Sequence, residues 1–190
     1  MKNDTNPPAP TVVAKDPAEV NAALETIAGL IVAANPDITS VALLGVVKRG
    51  KPMAERLATL IHEKTGHTPP VGSVSTLMYR DDLRSGKGPL KADSGETHFD
   101  FDVDGLNVVL VDDVIAAGRT ARAAMEAVID YGRPARIQLA CLVDRPVREL
   151  PIQPDFLGWT LATKAGERVL VRFTETDEED AVLIEQGQGA

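Results

Sequence analysis

The sequence is poor in cysteine and in positive charge, and both shortages narrow what the protein can be. Its single cysteine, Cys141, excludes a disulfide framework within one chain, so a reducing compartment such as the cytoplasm is expected. The 28 acidic side chains outnumber the 20 basic ones, and the formal net charge of −8 disfavours broad nonspecific binding to nucleic acid. We find no signal peptide and no apolar run that approaches a membrane span. The length of 190 residues fits one globular domain.

Residues 106–124 are the stretch around which the rest of the chain is organised. Within them, residues 108–111 form an unbroken apolar, β-branched run, which predicts a strand buried on both faces of a sheet. Two carboxylates, Asp112 and Asp113, end that run, and a short loop of small residues containing Gly118 leads into a helical pattern. Strands and helices alternate along the whole chain, which predicts an α/β fold with a mainly parallel sheet flanked by helices.

This order of strand, acidic pair, glycine-containing turn and helix suits a phosphorylated sugar. The loop amides and the positive end of the helix dipole favour a phosphate, to which Thr120 adds a hydroxyl donor. Asp112 and Asp113 stand where open α/β sheets bind ligands, and they can accept hydrogen bonds from vicinal ribose hydroxyls. An ordinary turn with solvated carboxylates is the alternative, but the glycine, the threonine and the helix together favour a ligand site.

A second anion site is predicted at the basic turn of Lys48, Arg49 and Gly50, which follows a buried strand over residues 41–47 and precedes a helix. Residues 71–78 predict another strand, and the long polar connection after it is typical of a mobile lid loop. We expect a flexible leader over residues 1–14, one domain over residues 15–186 and a disordered tail over residues 187–190.

The acidic pair and its loop resemble the signature with which type I phosphoribosyltransferases bind phosphoribosyl pyrophosphate (PRPP). Other strings narrow the resemblance: MYRDDL at residues 78–83, LVDR at residues 142–145 and RELP at residues 148–151. Together these strings resemble the bifunctional pyrimidine-operon attenuator and uracil phosphoribosyltransferase family, known as PyrR, over roughly residues 16–186.

The resemblance implies a type I phosphoribosyltransferase fold and the transfer of a phosphoribosyl group from PRPP to uracil, giving uridine monophosphate (UMP) and pyrophosphate. Mg²⁺ is expected on PRPP and not in a site of the protein's own. Arg80, in the lid, would close over the leaving pyrophosphate and act in catalysis with Arg49, Asp112 and Asp113. The residues expected to bind PRPP are Lys48, Arg49, Gly50, Asp112, Asp113, Val114, Ile115, Ala116, Ala117, Gly118, Arg119 and Thr120. Those expected to face uracil are Val143, Asp144 and Arg145.

Two departures from the family bear on this chemistry. Family members usually carry Thr where this chain has Ala117, so one hydroxyl donor to the phosphate is missing here. Purine-specific relatives carry an acidic base at the position of Ala116, and its absence fits a pyrimidine while leaving no obvious general base.

The family also implies a homodimer or higher oligomer that binds messenger RNA through a basic concave face. The positions where RNA-binding members carry cations or polar donors hold other residues here: Glu25, Gly29, Val147, Gln153 and Trp159. Since contacts to phosphates need cations, we predict little specific RNA binding. The cations that remain on this face are Lys15, Arg145, Arg148 and Arg172. Two alternatives stay open: a regulator that senses UMP or PRPP and binds RNA with little catalysis, and a phosphoribosyltransferase for another base.

Overall fold

A parallel sheet of five strands forms the centre of the structure, a computed structural model that describes residues 11–79 and 95–186. In spatial order the strands are Val71–Val74 (β3), Val41–Val46 (β2), Asn107–Ile115 (β4), Arg136–Asp144 (β5) and Phe156–Thr160 (β6). Helices Pro17–Ala34 (α1) and Gly50–Thr65 (α2) pack on one face of this sheet, and Arg119–Ile129 (α3) packs on the other. The predicted α/β architecture, a parallel sheet covered on both faces, is confirmed.

The central strand β4 shows why its sequence reads as a continuous apolar run. Its side chains alternate between two cores: Val109 and Val111 pack with α1 and α2, while Val108 and Leu110 pack with α3. All four side chains are fully buried. Since neither face of the strand meets water, no alternation of polar and apolar residues is needed.

Helix α1 begins where the sequence predicts. Asp16 accepts a hydrogen bond from the amide of Glu19 at 2.9 Å, and the Glu19 carboxylate accepts one from the amide of Asp16 at 3.0 Å, which completes a capping box. By length and composition alone this helix could cross a membrane, a test that the core helix of a globular domain also passes. Its apolar face, which includes Leu24, Ile27 and Ile31, is buried in the core against α2 and β6.

A second, antiparallel sheet of three strands corrects the predicted leader. Strand Thr11–Lys15 (β1) pairs with Ala181–Gln186 (β8), which in turn pairs with Glu167–Arg172 (β7). The flexible leader therefore does not extend to residue 14. The backbone ladder to a distant strand orders this stretch, and its exposed Val12 and Val13 carry no apolar period that the sequence could show. Residues 1–10 and the predicted tail lie outside the described residues.

Two further segments differ from the sequence-based expectation. Strand β6 was not predicted, because its five residues follow a proline-rich return loop and carry no alternating pattern. The strand predicted over residues 71–78 is shorter, and a 3₁₀ turn at Leu77–Tyr79 follows it. Most of the predicted lid lies outside the described residues, but its returning end pairs with β3 through two 2.8 Å hydrogen bonds between the backbones of Ser73 and His98.

Candidate active site

The basic turn and the acidic pair come together at the carboxyl edge of the parallel sheet. Helix α2 begins at Gly50, and a Cβ atom on this glycine would lie only 2.2 Å from the carbonyl oxygen of Val111. No side chain fits at that distance, so the close contact of the turn with the end of β4 requires a glycine. The basic turn is thereby held against the end of β4, and Arg49 lies near enough to Asp113 to favour the ionised form of that carboxyl. The peptide bond between Val47 and Lys48 is cis.

The two carboxylates lie inside strand β4, which continues to Ile115, and not after its end as the sequence suggested. Asp112 is 8% exposed. Its carboxylate accepts a hydrogen bond from the amide of Asp113 at 3.0 Å, and the Asp113 carboxylate accepts one from the amide of Val114 at 2.9 Å. Both donors are neutral backbone amides, so these bonds fix the side chains without neutralising their charge.

Burial gives the acidic pair its electrostatic character. Burial and then the charge of Asp113 raise the pKa of Asp112 well above its usual range. Burial also raises the pKa of Asp113, although the nearby Arg49 opposes the shift. Cys141 lies opposite Asp112 on β5, and burial followed by these carboxylates raises the pKa of its thiol, which fits a packing role. The pair is therefore poised to gain from a ligand that donates hydrogen bonds or carries positive charge.

The loop after β4 presents the start of a helix to the same edge. Gly118 precedes α3 in the left-handed conformation, with φ at +87°, which favours glycine over other residues. No side chain of the described residues caps this helix start, so its first amides point toward the loop. Thr120 is exposed in the first turn, and Arg119 forms a 2.6 Å ion pair with Glu149. This geometry suits the phosphate that the sequence predicts here.

Sequence reasoning missed the partner that holds Arg49. Its Nη2 donates to Asp177 Oδ1 at 3.1 Å. The other carboxylate oxygen of Asp177 accepts from the hydroxyl of Thr176 at 2.8 Å and from the amide of Phe173 at 3.2 Å. Burial opposes ionisation, but the bonds from Arg49, Thr176 and the backbone outweigh it and lower the pKa of Asp177. Arg49 is thus held by a firmly ionised carboxylate.

The turn that carries Asp177 is itself anchored to α2. Arg56 donates to Glu175 and Asp180, each at 2.6 Å, and its guanidinium lies 5.1 Å from the centre of the Phe173 ring. Hydrogen bonds from Arg56 lower the pKa of both carboxyls, against the effect of burial. The acidic turn therefore has a fixed position beside the basic turn, which only the tertiary structure reveals.

The three residues expected to face uracil lie at the end of β5, next to the end of β4. Val143 pairs with Val114, and Asp144 pairs with Ile115. Several of their backbone groups are already engaged: the Asp144 carbonyl accepts from Leu161 and the Arg145 amide donates to Ile115. The side chain of Arg145 donates to the hydroxyl of Thr163 at 2.6 Å. The structure thus brings this segment to the same edge of the sheet as the acidic pair.

Arg80, the expected lid residue, lies outside the described residues. Tyr79, just before it, is attached to α3: its hydroxyl donates to Asp130, and its carbonyl accepts from Arg122 at 2.7 Å. Within the described residues, 11–79 and 95–186, no group of three or more His, Cys, Asp or Glu side chains is arranged to hold a metal ion.

The cations that remained for an RNA face are engaged within the chain. Lys15 pairs with Glu19 at 2.7 Å and lies 5.1 Å from the centre of the Trp159 ring, and Arg172 pairs with Glu179 at 3.1 Å. Arg148 is largely buried rather than presented on a surface, and it forms an ion pair with Asp144.

Comparison with known proteins agrees with this geometry. Residues 18–163 match the family model described as "Phosphoribosyl transferase domain". The chain is 47% identical over 169 residues to "Bifunctional protein PyrR" of Chloroflexus aurantiacus, covering 89% of this chain and 92% of that protein. It is 45% identical over 179 residues to the protein of the same name from Listeria welshimeri, covering 93% and 98%.

Among solved structures, the fold is similar to a "HGPRT-ase" from Leishmania tarentolae in complex with GMP, with a TM-score of 0.68, 19% identity and coverage of 94% and 98% of the two chains. A hypoxanthine phosphoribosyl transferase from Trypanosoma cruzi gives a TM-score of 0.66 at 15% identity, covering 95% and 93%. At sequence identities this low, the similarity concerns the fold alone.

The sheet order, the uncapped helix start and the buried acidic pair define a type I phosphoribosyltransferase, as the sequence predicts. Because the family model spans most of the chain and the relatives match it almost from end to end, the chain belongs to the PyrR family.

Proposed function

We propose that this chain transfers the phosphoribosyl group of PRPP to uracil, giving UMP and pyrophosphate. The observation that carries the proposal is the acidic pair, buried between a glycine-packed basic turn and an uncapped helix start. Ribose hydroxyls donate to Asp112 and Asp113, and the 5′-phosphate meets the amides of the loop of residues 114–120. Pyrophosphate, brought in as its Mg²⁺ complex on PRPP, faces Lys48, Arg49 and Gly50.

The chemistry then follows from charge. The bond between C1′ and the pyrophosphate oxygen breaks as the bond from N1 of uracil to C1′ forms, so the sugar gains positive character while the leaving oxygens gain negative charge. Arg49, held in place by Asp177, and Arg80 from the lid stabilise that negative charge. The N1 proton passes to the departing pyrophosphate, since Ala116 offers no acceptor. Uracil lies against the segment of Val143, Asp144 and Arg145.

A panel of nucleobases tests this proposal directly. Purified protein with PRPP and Mg²⁺ is given uracil, cytosine, orotate, hypoxanthine or guanine, and released pyrophosphate is measured. We expect release with uracil and little with the other bases. Preference for another base would overturn the assignment to uracil. Binding of UMP and PRPP without turnover of any base would favour the regulator that senses nucleotides.

The relatives are named bifunctional, which favours a second function besides catalysis. By resemblance this function is binding of messenger RNA, tightened by uridine nucleotides. Two observations weigh against RNA binding here. Glu25 and Val147 are exposed at positions where contacts with RNA are expected, and Lys15 and Arg172 each form an ion pair with a glutamate of the same chain. We propose that RNA regulation is weak or lost in this member.

We also propose a homodimer or higher oligomer in the cytoplasm. The cytoplasmic location rests on the single cysteine, which is buried and free. Light scattering after size exclusion measures the oligomer, and a monomer at the concentration used for activity would contradict this expectation.

A further inference from the structure

One guanidinium, that of Arg148, joins the two halves of the proposed site. Its Nη1 lies 2.8 Å from the carbonyl oxygen of Ala116 in the phosphate loop, and the same atom forms a 2.8 Å ion pair with Asp144 at the end of β5. Nε donates to the carbonyl of Ile152 at 2.7 Å, and Nη2 donates to the Gln153 side chain at 3.3 Å. The side chain is only 15% exposed, so these contacts are shielded from water.

The backbone around Arg148 reinforces the same connection. The amides of Glu149 and Leu150 both donate to the carbonyl of Ala117 at 3.0 Å, and the amide of Arg145 donates to Ile115 at 2.8 Å. Residues 145–155 link the parallel strands β5 and β6 without a helix. Parallel strands are usually joined by a longer crossover that contains one. The contacts with the phosphate loop, together with those between Asp155 and Leu139 of β5, therefore hold this connection in position.

We infer that Arg148 is a positioning residue, which sets the phosphate loop at a fixed distance from the base-facing end of β5. It contacts neither phosphate nor base. By fixing this distance, Arg148 allows one nucleotide to place its phosphate in the phosphate loop and its base at the end of β5 at the same time. A lysine could pair with Asp144. Only the planar guanidinium of arginine reaches the Asp144 carboxylate and the carbonyls of Ala116 and Ile152 together. This inference rests on the proposed function.

The inference predicts different losses for whole and half ligands. In Arg148→Lys and Arg148→Met, UMP spans two halves whose spacing is no longer fixed, whereas ribose 5-phosphate and uracil each occupy one half. We expect the affinity for UMP to fall by at least about tenfold, and the affinity for each half ligand to change by less than about threefold. The kcat for uracil transfer should fall at least as much as UMP affinity, with Arg148→Lys less impaired than Arg148→Met.

Titrations followed by NMR measure all three ligands, and thermal unfolding shows whether each variant is folded. Arg172→Met, which removes an exposed arginine from its pair with Glu179, is the matched control and should bind UMP as the parent does. If Arg148→Met does not fold, Arg148→Lys keeps the buried charge pair and still tests the spacing.

Three results would overturn the inference. Unchanged UMP affinity in folded Arg148→Lys would show that spacing does not depend on this residue. Equal losses for UMP and ribose 5-phosphate would mean that Arg148 meets the phosphate itself. Equal losses for all three ligands, together with a lower unfolding temperature, would mean a merely structural role. A parent protein that binds no UMP would instead overturn the proposed function, which the panel of bases shows independently.

Discussion

Replacing both site carboxylates, Asp112→Asn with Asp113→Asn, should abolish transfer and at the same time stabilise the unliganded protein. Asparagine keeps the shape of each side chain and the oxygen that accepts from the next amide, so the local bonds at 3.0 and 2.9 Å survive. The substitutions remove only the negative charge of the two buried carboxylates. The ribose hydroxyls lose their charged acceptors, and PRPP binding is lost with them.

The magnitude follows from the raised pKa values. Each unit by which folding raises the pKa of a carboxyl group lowers the free energy of unfolding by about 1.4 kcal/mol at a pH well above that pKa. In a protein of this size, 1 kcal/mol shifts the unfolding temperature by roughly 2–4 °C. Burial raises the pKa of both groups, so the native parent binds more protons than the unfolded chain. The stability of the parent therefore falls as pH rises from about 4 through the native pKa values, and the variant escapes that loss.

The assay is thermal unfolding from pH 4 to pH 8, with and without PRPP and Mg²⁺, beside the activity measurement. Without ligand, the variant should unfold at a higher temperature than the parent at pH 8, and the difference should shrink toward pH 4. PRPP should stabilise the parent and not the variant. Asp100→Asn, which changes an exposed carboxylate, is the control and should behave as the parent. A folded variant with activity within about twofold of the parent, or with a lower unfolding temperature at pH 8, would contradict this prediction.

Three further predictions concern neighbouring features. Ala117→Thr should tighten PRPP binding by about 1 kcal/mol by restoring a hydroxyl donor; weaker binding in a titration would show that the loop follows another path around the phosphate. Asp177→Asn should raise the KM for PRPP severalfold because Arg49 loses its anchor, while Glu178→Gln on the same turn should not; equal effects would mean that the charge of the turn, and not the pair, matters. In gel shifts at about 0.15 M salt, where the Debye screening length is about 8 Å, a pyrimidine-leader RNA should bind no better than a scrambled RNA. Tight binding enhanced by uridine nucleotides would contradict this.

Features encoded by neighbouring residues could be predicted from the sequence. The capping box at Asp16 and Glu19 needs only residues three apart, and the start of α1 was correct. The acidic pair and Gly118 lie within one strand, turn and helix, so their place at the sheet edge follows from the order of the elements.

Features that depend on distant parts of the chain could not be predicted. Strand β1 is ordered by β8, which lies at the other end of the sequence, and the partner of Arg49 is 128 residues away. Arg148 is the most instructive error, because an arginine in a polar loop reads as a surface cation. Its burial depends on Ala116 and Asp144, whose positions only the folded sheet brings together.

The products of the reaction show directly whether this site joins uracil to the ribose of PRPP. Labelled uracil, PRPP and Mg²⁺ are incubated with the parent and with the Asp112→Asn, Asp113→Asn variant, and labelled UMP and pyrophosphate are measured in the same samples. We expect equal amounts of UMP and pyrophosphate with the parent and neither with the variant. Pyrophosphate without UMP, or the same UMP from both proteins, would contradict this expectation.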